Sequence, residues 1–120
     1  MTEEAKKPEV SGFTVTEADR EKTKVFGKKG SFTIKLPLPS EKIQIYAATS
    51  RVLGGANLNS IRGIDYEYAR MIVTLNFVII ENPKWWDGAD SCVDDNFLLE
   101  LWSFYIEEEK RFSEFLKKNS

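Results

Sequence analysis

The chain contains no histidine. That removes the commonest general base and the commonest protein ligand of zinc. It contains one cysteine, Cys92, so no disulfide forms within the chain and a reducing compartment is expected. Charge of one sign is also missing. A net charge of −2 gives no sequence-independent pull toward nucleic acid. The longest apolar segment, Met71 to Ile80, is interrupted by Thr74 and Asn76 and bracketed by Arg70 and Glu81. It is about half the ~20 residues a membrane helix needs, so no membrane span is expected. The opening Met-Thr-Glu-Glu-Ala-Lys-Lys-Pro lacks the apolar centre of a secretory signal.

What is present fits a globular protein. Hydrophobic residues make up 42% and charged residues 30%, outside the disordered range. At 120 residues, one domain is expected. Residues 1–22 are polar and rich in lysine and glutamate, with Val10, Phe13 and Val15 as the apolar positions. They read as a mobile polar tail with a short extended piece at Phe13–Val15; the alternative is an arm that orders on a partner. Residues 23–120 read as a single globular helical domain.

The expected fold is mainly α: a compact three-helix domain preceded by a short strand or hairpin. Phe32, Ile34 and Leu36 alternate with Thr33 and Lys35, the period of a half-buried strand. Gly27 to Gly30 turns the chain back onto Val25 and Phe26 as a hairpin, and Pro37 and Pro39 end the strand. Two strands alone are marginal in water, so the hairpin must lie on something else. Ser40 is expected to cap a first helix, with Ile43, Tyr46, Ala47, Ser50 and Leu53 on its buried face and Gly54-Gly55 as its stop. Ala56 to Gly63 reads as a loop.

Asp65 to Ile80 is expected as a central helix, buried because it is apolar nearly all round. Ile64, Tyr68, Met71, Ile72, Leu75, Val78 and Ile79 lie on one side, and Tyr66, Val73, Phe77 and Ile80 on the other. A buried strand over Met71–Ile80 competes, since the segment is rich in β-branched residues. With Phe77 in the core, Phe77→Ala would cost about 3–5 kcal/mol. A last helix runs from about Asp95 to Lys118, capped by Asp94 or Asp95. Phe97, Leu101, Phe104, Tyr105, Phe112 and Phe115 face inward, and Lys117-Lys118 stand at the negative end of the helix dipole.

Candidate sites concentrate between these helices. Asp87, Asp90, Asp94 and Asp95 suggest a calcium or magnesium loop, but a helix–loop–helix calcium site needs an oxygen ligand where Ala89 falls and a later glycine than Gly88. Turn residues and a helix cap account for them more simply. Acid–base work by the same aspartates lacks a reason for a raised pKa, and Cys92 as a nucleophile lacks a histidine partner. Lys28-Lys29 and Lys117-Lys118 read as solvated lysines. No catalytic, cofactor-binding or metal-binding residue is therefore assigned. Trp85 and Trp86 are the most distinctive feature, as a partner-binding pair or as a plug whose indole reaches a loop carbonyl. In an extended connection the two point in opposite directions, one toward the core and one toward solvent. Trp86, nearer the Asp87-Gly88 turn, is expected to be the exposed one.

A long apolar helix ending in Asn82-Pro83, the pair Trp85-Trp86, Cys92-Val-Asp-Asp, then Leu99-x-Leu101-Trp102-x-x-Tyr105 and a late Phe112, resembles the small tail assembly chaperones of long-tailed bacteriophages. The resemblance covers residues 31–118. It implies a non-enzymatic, mostly helical protein of the host cytoplasm, without cofactor, that binds phage tail proteins. The expected partner is the tape-measure protein around which the tail tube polymerises, not nucleic acid or a membrane. The alternative is a structural component of the virion, in the tail or at the head–tail joint. An enzyme working through the aspartates is a further rival.

Overall fold

Gly27 and Gly30 set the turn on which the sheet is built. Both hold positive φ, at 56° and 102°, which a glycine adopts without penalty. A 3-10 turn over Gly27–Lys29 joins β3 (Glu21–Val25) to β4 (Ser31–Lys35) as an antiparallel hairpin. Gly30 is also where the chain meets Pro83, since a Cβ there would stand 2.6 Å from the Pro83 Cγ. The computed structural model describes residues 9–10, 13–54 and 63–119. The expected tail residues 1–8, the side chains of Val10, Phe13 and Ile64, and the expected loop from Ala56 to Arg62 lie outside the described residues.

Around the hairpin the element order is β1 (Glu9–Val10), β2 (Phe13–Thr14), α1 (Glu17–Arg20), β3, β4, α2 (Pro39–Val52), α3 (Gly63–Val78), β5 (Ile79–Glu81) and α4 (Asp95–Lys118). The protein is mostly helical, with four helices and a three-stranded antiparallel sheet of order β3-β4-β5 among the described residues. β1 and β2 pair separately with each other.

The core sits between the sheet and the last two long helices. Phe26, Phe32, Ile34 and Leu36 come from the hairpin, Met71, Leu75 and Val78 from α3, and Phe97, Leu98, Leu101, Phe104 and Tyr105 from α4. Thus the hairpin does lie on something else, and the apolar side of β4 is what holds it there. Thr33 is buried as well, and its hydroxyl is 2.7 Å from that of Thr23 across the strand pair. β3 forms one sheet edge and carries Lys22 and Lys24, charges that discourage further strand pairing.

The segment expected as one central helix is divided. α3 ends at Val78, and Ile79–Glu81 continues without a loop as β5, paired with β4 through Ile34↔Ile79 and Thr33↔Glu81. The register shift between these pairs is a bulge at Ile80. Helix and strand readings of Met71–Ile80 were each correct for part of it. Nor is α3 buried all round. Tyr68 is 52% and Phe77 39% exposed, whereas Met71, Thr74, Leu75 and Val78 are buried. Phe77 is therefore not a core residue, and its truncation should cost less than the range for a buried Phe.

Two other expectations need correction. α2 begins at Pro39, whose fixed φ and missing N–H suit the first helical position. Its entry is satisfied by Glu41, whose carboxylate accepts from the Leu38 N–H at 2.8 Å, rather than by Ser40. Its buried side chains are Ile45 and Thr49, while Ile43 and Tyr46 are 68% and 56% exposed. The stripe that packs on α3 is thus the second of two apolar stripes on this helix. The tail boundary at residue 22 also cuts through packed structure. Val15 is 3% and Arg20 6% exposed, and β3 starts at Glu21. Thr16 caps α1 reciprocally with Asp19, a signal present in the sequence at short range.

Candidate functional site

Asn82-Pro83 turns the chain out of β5, and the Trp86 N–H donates to the Pro83 carbonyl at 3.1 Å. The connection is therefore turned rather than extended, and the two indoles do not alternate. They meet edge to face at 5.9 Å between ring centres. Trp86 is the buried one at 8% exposure, with its ring 5.2 Å from Phe32 at 89°. Trp85 is the half-exposed one at 50%, opposite to the expected assignment. One indole inside and one outside holds, but the turn exchanges them.

Trp85 is fixed in place. Its indole N–H donates to the Lys29 carbonyl at 2.8 Å, and its ring packs against Phe97 at 5.9 Å and Phe32 at 6.1 Å. Phe26 and Phe104 extend this cluster away from Trp85 at 5.4–5.9 Å spacings. Lys29 covers Phe97, with its Nζ 5.3 Å from the ring centre. The corner is an aromatic surface anchored to the hairpin turn, with half of Trp85 exposed to solvent.

Asp87 is exposed, and Asp90, Asp94 and Asp95 take separate structural roles. Asp90 accepts from the Asn76 amide at 2.8 Å, and Asn76 in turn accepts the Ala89 N–H at 2.7 Å. One side chain of α3 thereby holds the 3-10 turn Ala89–Ser91. Gly88, at φ 105°, fits close to both groups. Asp94 caps α4 by accepting the Phe97 N–H at 3.1 Å. Asp95 accepts from the Tyr68 hydroxyl at 3.4 Å and raises its pKa, mainly by its charge. Cys92 is half-buried, and its thiol lies 3.6 Å from the Asp94 carbonyl. Among the described residues no three carboxylate or thiol side chains come together to hold a metal ion, and no helix is long and apolar enough to cross a membrane.

The Phe97 N–H holds the Asp94 carboxyl below its ordinary value of 3.8, and Lys29, 3.4 Å away, adds to this. A lowered folded pKa gives stability that is present above the ordinary value and is lost as pH falls through the lowered one. Asp94→Asn keeps a cap of similar quality but does not titrate. The fall in Tm between neutral pH and pH values below about 4 should therefore be smaller in Asp94→Asn than in the parent, by differential scanning fluorimetry.

A second site was not foreseen. α2, α3 and α4 enclose a cleft of about 570 Å³ lined by Lys42, Ile45, Tyr46, Arg70, Thr74, Tyr105 and Glu109 among others. Burial pushes the Tyr105 phenol well above its ordinary range, and a hydrogen bond to Glu109 at 2.8 Å adds to this. Beside it a smaller, mainly apolar groove runs between Val15, Leu36 and Pro39 on one side and Phe112 and Leu116 on the other. The signal in the sequence was two one-turn pairs, Arg70 with Thr74 and Tyr105 with Glu109, which carries little weight until the helices are placed together. Compared with family models, curated proteins and solved structures, the chain gives no match.

Proposed function

We propose that this chain is a non-enzymatic binding protein of phage tail assembly, one that holds a segment of the tail tape-measure protein in the host cytoplasm while the tube forms. The observation that carries the reading is Trp85. It is a half-exposed indole with its N–H already bound and its ring backed by Phe32, Trp86 and Phe97. A preorganised aromatic of this kind loses little side-chain entropy when a partner covers it, which is the property of binding hot spots. The pattern from Asn82-Pro83 to Phe112 supports the assignment to tail assembly. An apolar helical client requires an adaptable or prearranged hydrophobic contact, not a reactive group. The rival reading, a component of the finished tail or head–tail joint, makes the opposite prediction about the particle. Quantitative mass spectrometry of purified virions should find the chain absent, while lysates contain it. A fixed copy number per virion would replace the chaperone reading with the structural one.

A further inference from the structure

β3 is an edge strand, and among the described residues no strand but β4 pairs with it. The Phe26 N–H donates to the Gly30 carbonyl and the Leu36 N–H to the Arg20 carbonyl, each at 2.8 Å. In the register Lys24↔Phe32 and Lys22↔Ile34, the even positions therefore turn their backbone groups toward β4, and Glu21, Thr23 and Val25 turn theirs to the open edge. The Glu21 N–H is taken by the Ala18 carbonyl. Thr23 and Val25 keep both an N–H and a C=O on that edge, and both residues are exposed, Val25 at 67%.

Side chains alternate along a strand. Lys22 and Lys24 share the side of their partners Ile34 and Phe32, toward α4. Lys24 lines a shallow hollow with Leu99 and Glu100, its Nζ 5.2 Å from the centre of the Phe26 ring. Lys22 lines another with Glu108 and Phe115. Neither lysine forms an ion pair among the described residues, and Glu108 is held by Arg111 at 2.7 Å.

These lysines decide what can pair with the edge. Backbone bonding sets outward positions opposite outward positions. Two antiparallel copies of β3 then bring lysine against lysine: Lys22 against Lys24, or either against itself. Like charges directly opposite are destabilising, so the edge is guarded against a second copy. An acidic side chain in the same place forms a cross-strand ion pair instead.

We infer that the open edge of β3 takes an extended acidic segment of another protein as an added strand. Acidic residues at alternate positions stand opposite Lys22 and Lys24 on the α4 side. The residues between them bond Thr23 and Val25 through the backbone. The client proposed for Trp85 is an apolar helix, so the two surfaces take partners of different chemistry.

The test is a titration of the full chain, followed by its amide resonances at constant ionic strength. The probe is the blocked peptide Thr-Val-Glu-Thr-Glu-Val-Thr. One control has both glutamates replaced by lysine. Another keeps the charges but is N-methylated at the central threonine and both valines, which removes the strand-forming N–H groups. The expected result is saturable shifts and slowed hydrogen exchange at Thr23 and Val25 with the acidic peptide. Each control should bind about tenfold more weakly or worse. The chain carrying both Lys22→Glu and Lys24→Glu should prefer the lysine peptide. No saturable shifts with the acidic peptide, equal binding of the lysine peptide, or undiminished binding of the N-methylated one would each overturn the proposal. Protection of the two amides that grows with protein concentration, without peptide, would give the edge to a second copy and overturn it too.

Discussion

Trp86→Ala is expected to lower the unfolding free energy by about 3–5 kcal/mol, the range for a buried tryptophan cut to alanine. The indole is 8% exposed and stands edge to face with Phe32, which has no exposure. It also meets Phe97 at 6.3 Å and Trp85 at 5.9 Å. Its removal opens a void where the hairpin, the connection and α4 converge. Phe32 and Phe97 are themselves held by neighbouring rings and cannot collapse into the space. Such a loss is a large share of the ~5–15 kcal/mol that stabilises a domain. Trp85→Ala should cost much less, because half of that side chain faces solvent in the folded protein. Urea unfolding of the two single variants checks the order.

Glu41→Ala is expected to cost about 3 kcal/mol, and more than Arg20→Met, although arginine is the more buried partner. Arg20 donates from Nε to the Leu36 carbonyl and from Nη2 to Glu41, both at 2.8 Å. Its side chain is 7% exposed and that of Glu41 32%. Removing the carboxylate strands a buried guanidinium and also leaves the Leu38 N–H without its acceptor at the start of α2. Arg20→Met instead removes the charge and keeps the aliphatic bulk, leaving a carboxylate that water can reach. Unfolding of both variants in urea tests this order, which a simple count of lost hydrogen bonds, two in each variant, would not give. The pair also ties the residues just before β3 to the helix after β4, so it explains why the fold begins well before residue 22.

The elements that could be read from sequence are those with local signals. α4 runs from Asp95 to Lys118 with Asp94 as its cap, because the cap, the apolar period and the terminal lysines agree. The hairpin follows from alternation at Phe32 to Leu36 and the glycine-bounded turn. The misreadings arose where a long-range partner decides. Ile79 and Ile80 fit helix or strand equally, and only the pairing of Ile79 with Ile34 and of Glu81 with Thr33 makes the segment a strand. On α2, Ile43 and Tyr46 are as apolar as Ile45, and the position of α3 chooses between the stripes. Arg20 looked like tail because nothing in the local sequence announces Glu41 as its partner. Trp85 and Trp86 were exchanged by one backbone hydrogen bond, from Trp86 to Pro83. The cleft between α2, α3 and α4 draws on three helices and has no continuous motif.

The most direct test of the account is the affinity of the full chain for the tape-measure protein, measured side by side for the parent and for Trp85→Ala, with Tm recorded for both. The account predicts a complex with the parent and a loss of about 2 kcal/mol or more, roughly thirtyfold in Kd, on truncating Trp85, while Tm stays close to that of the parent. No complex with the parent, or an undiminished one with Trp85→Ala, would contradict it.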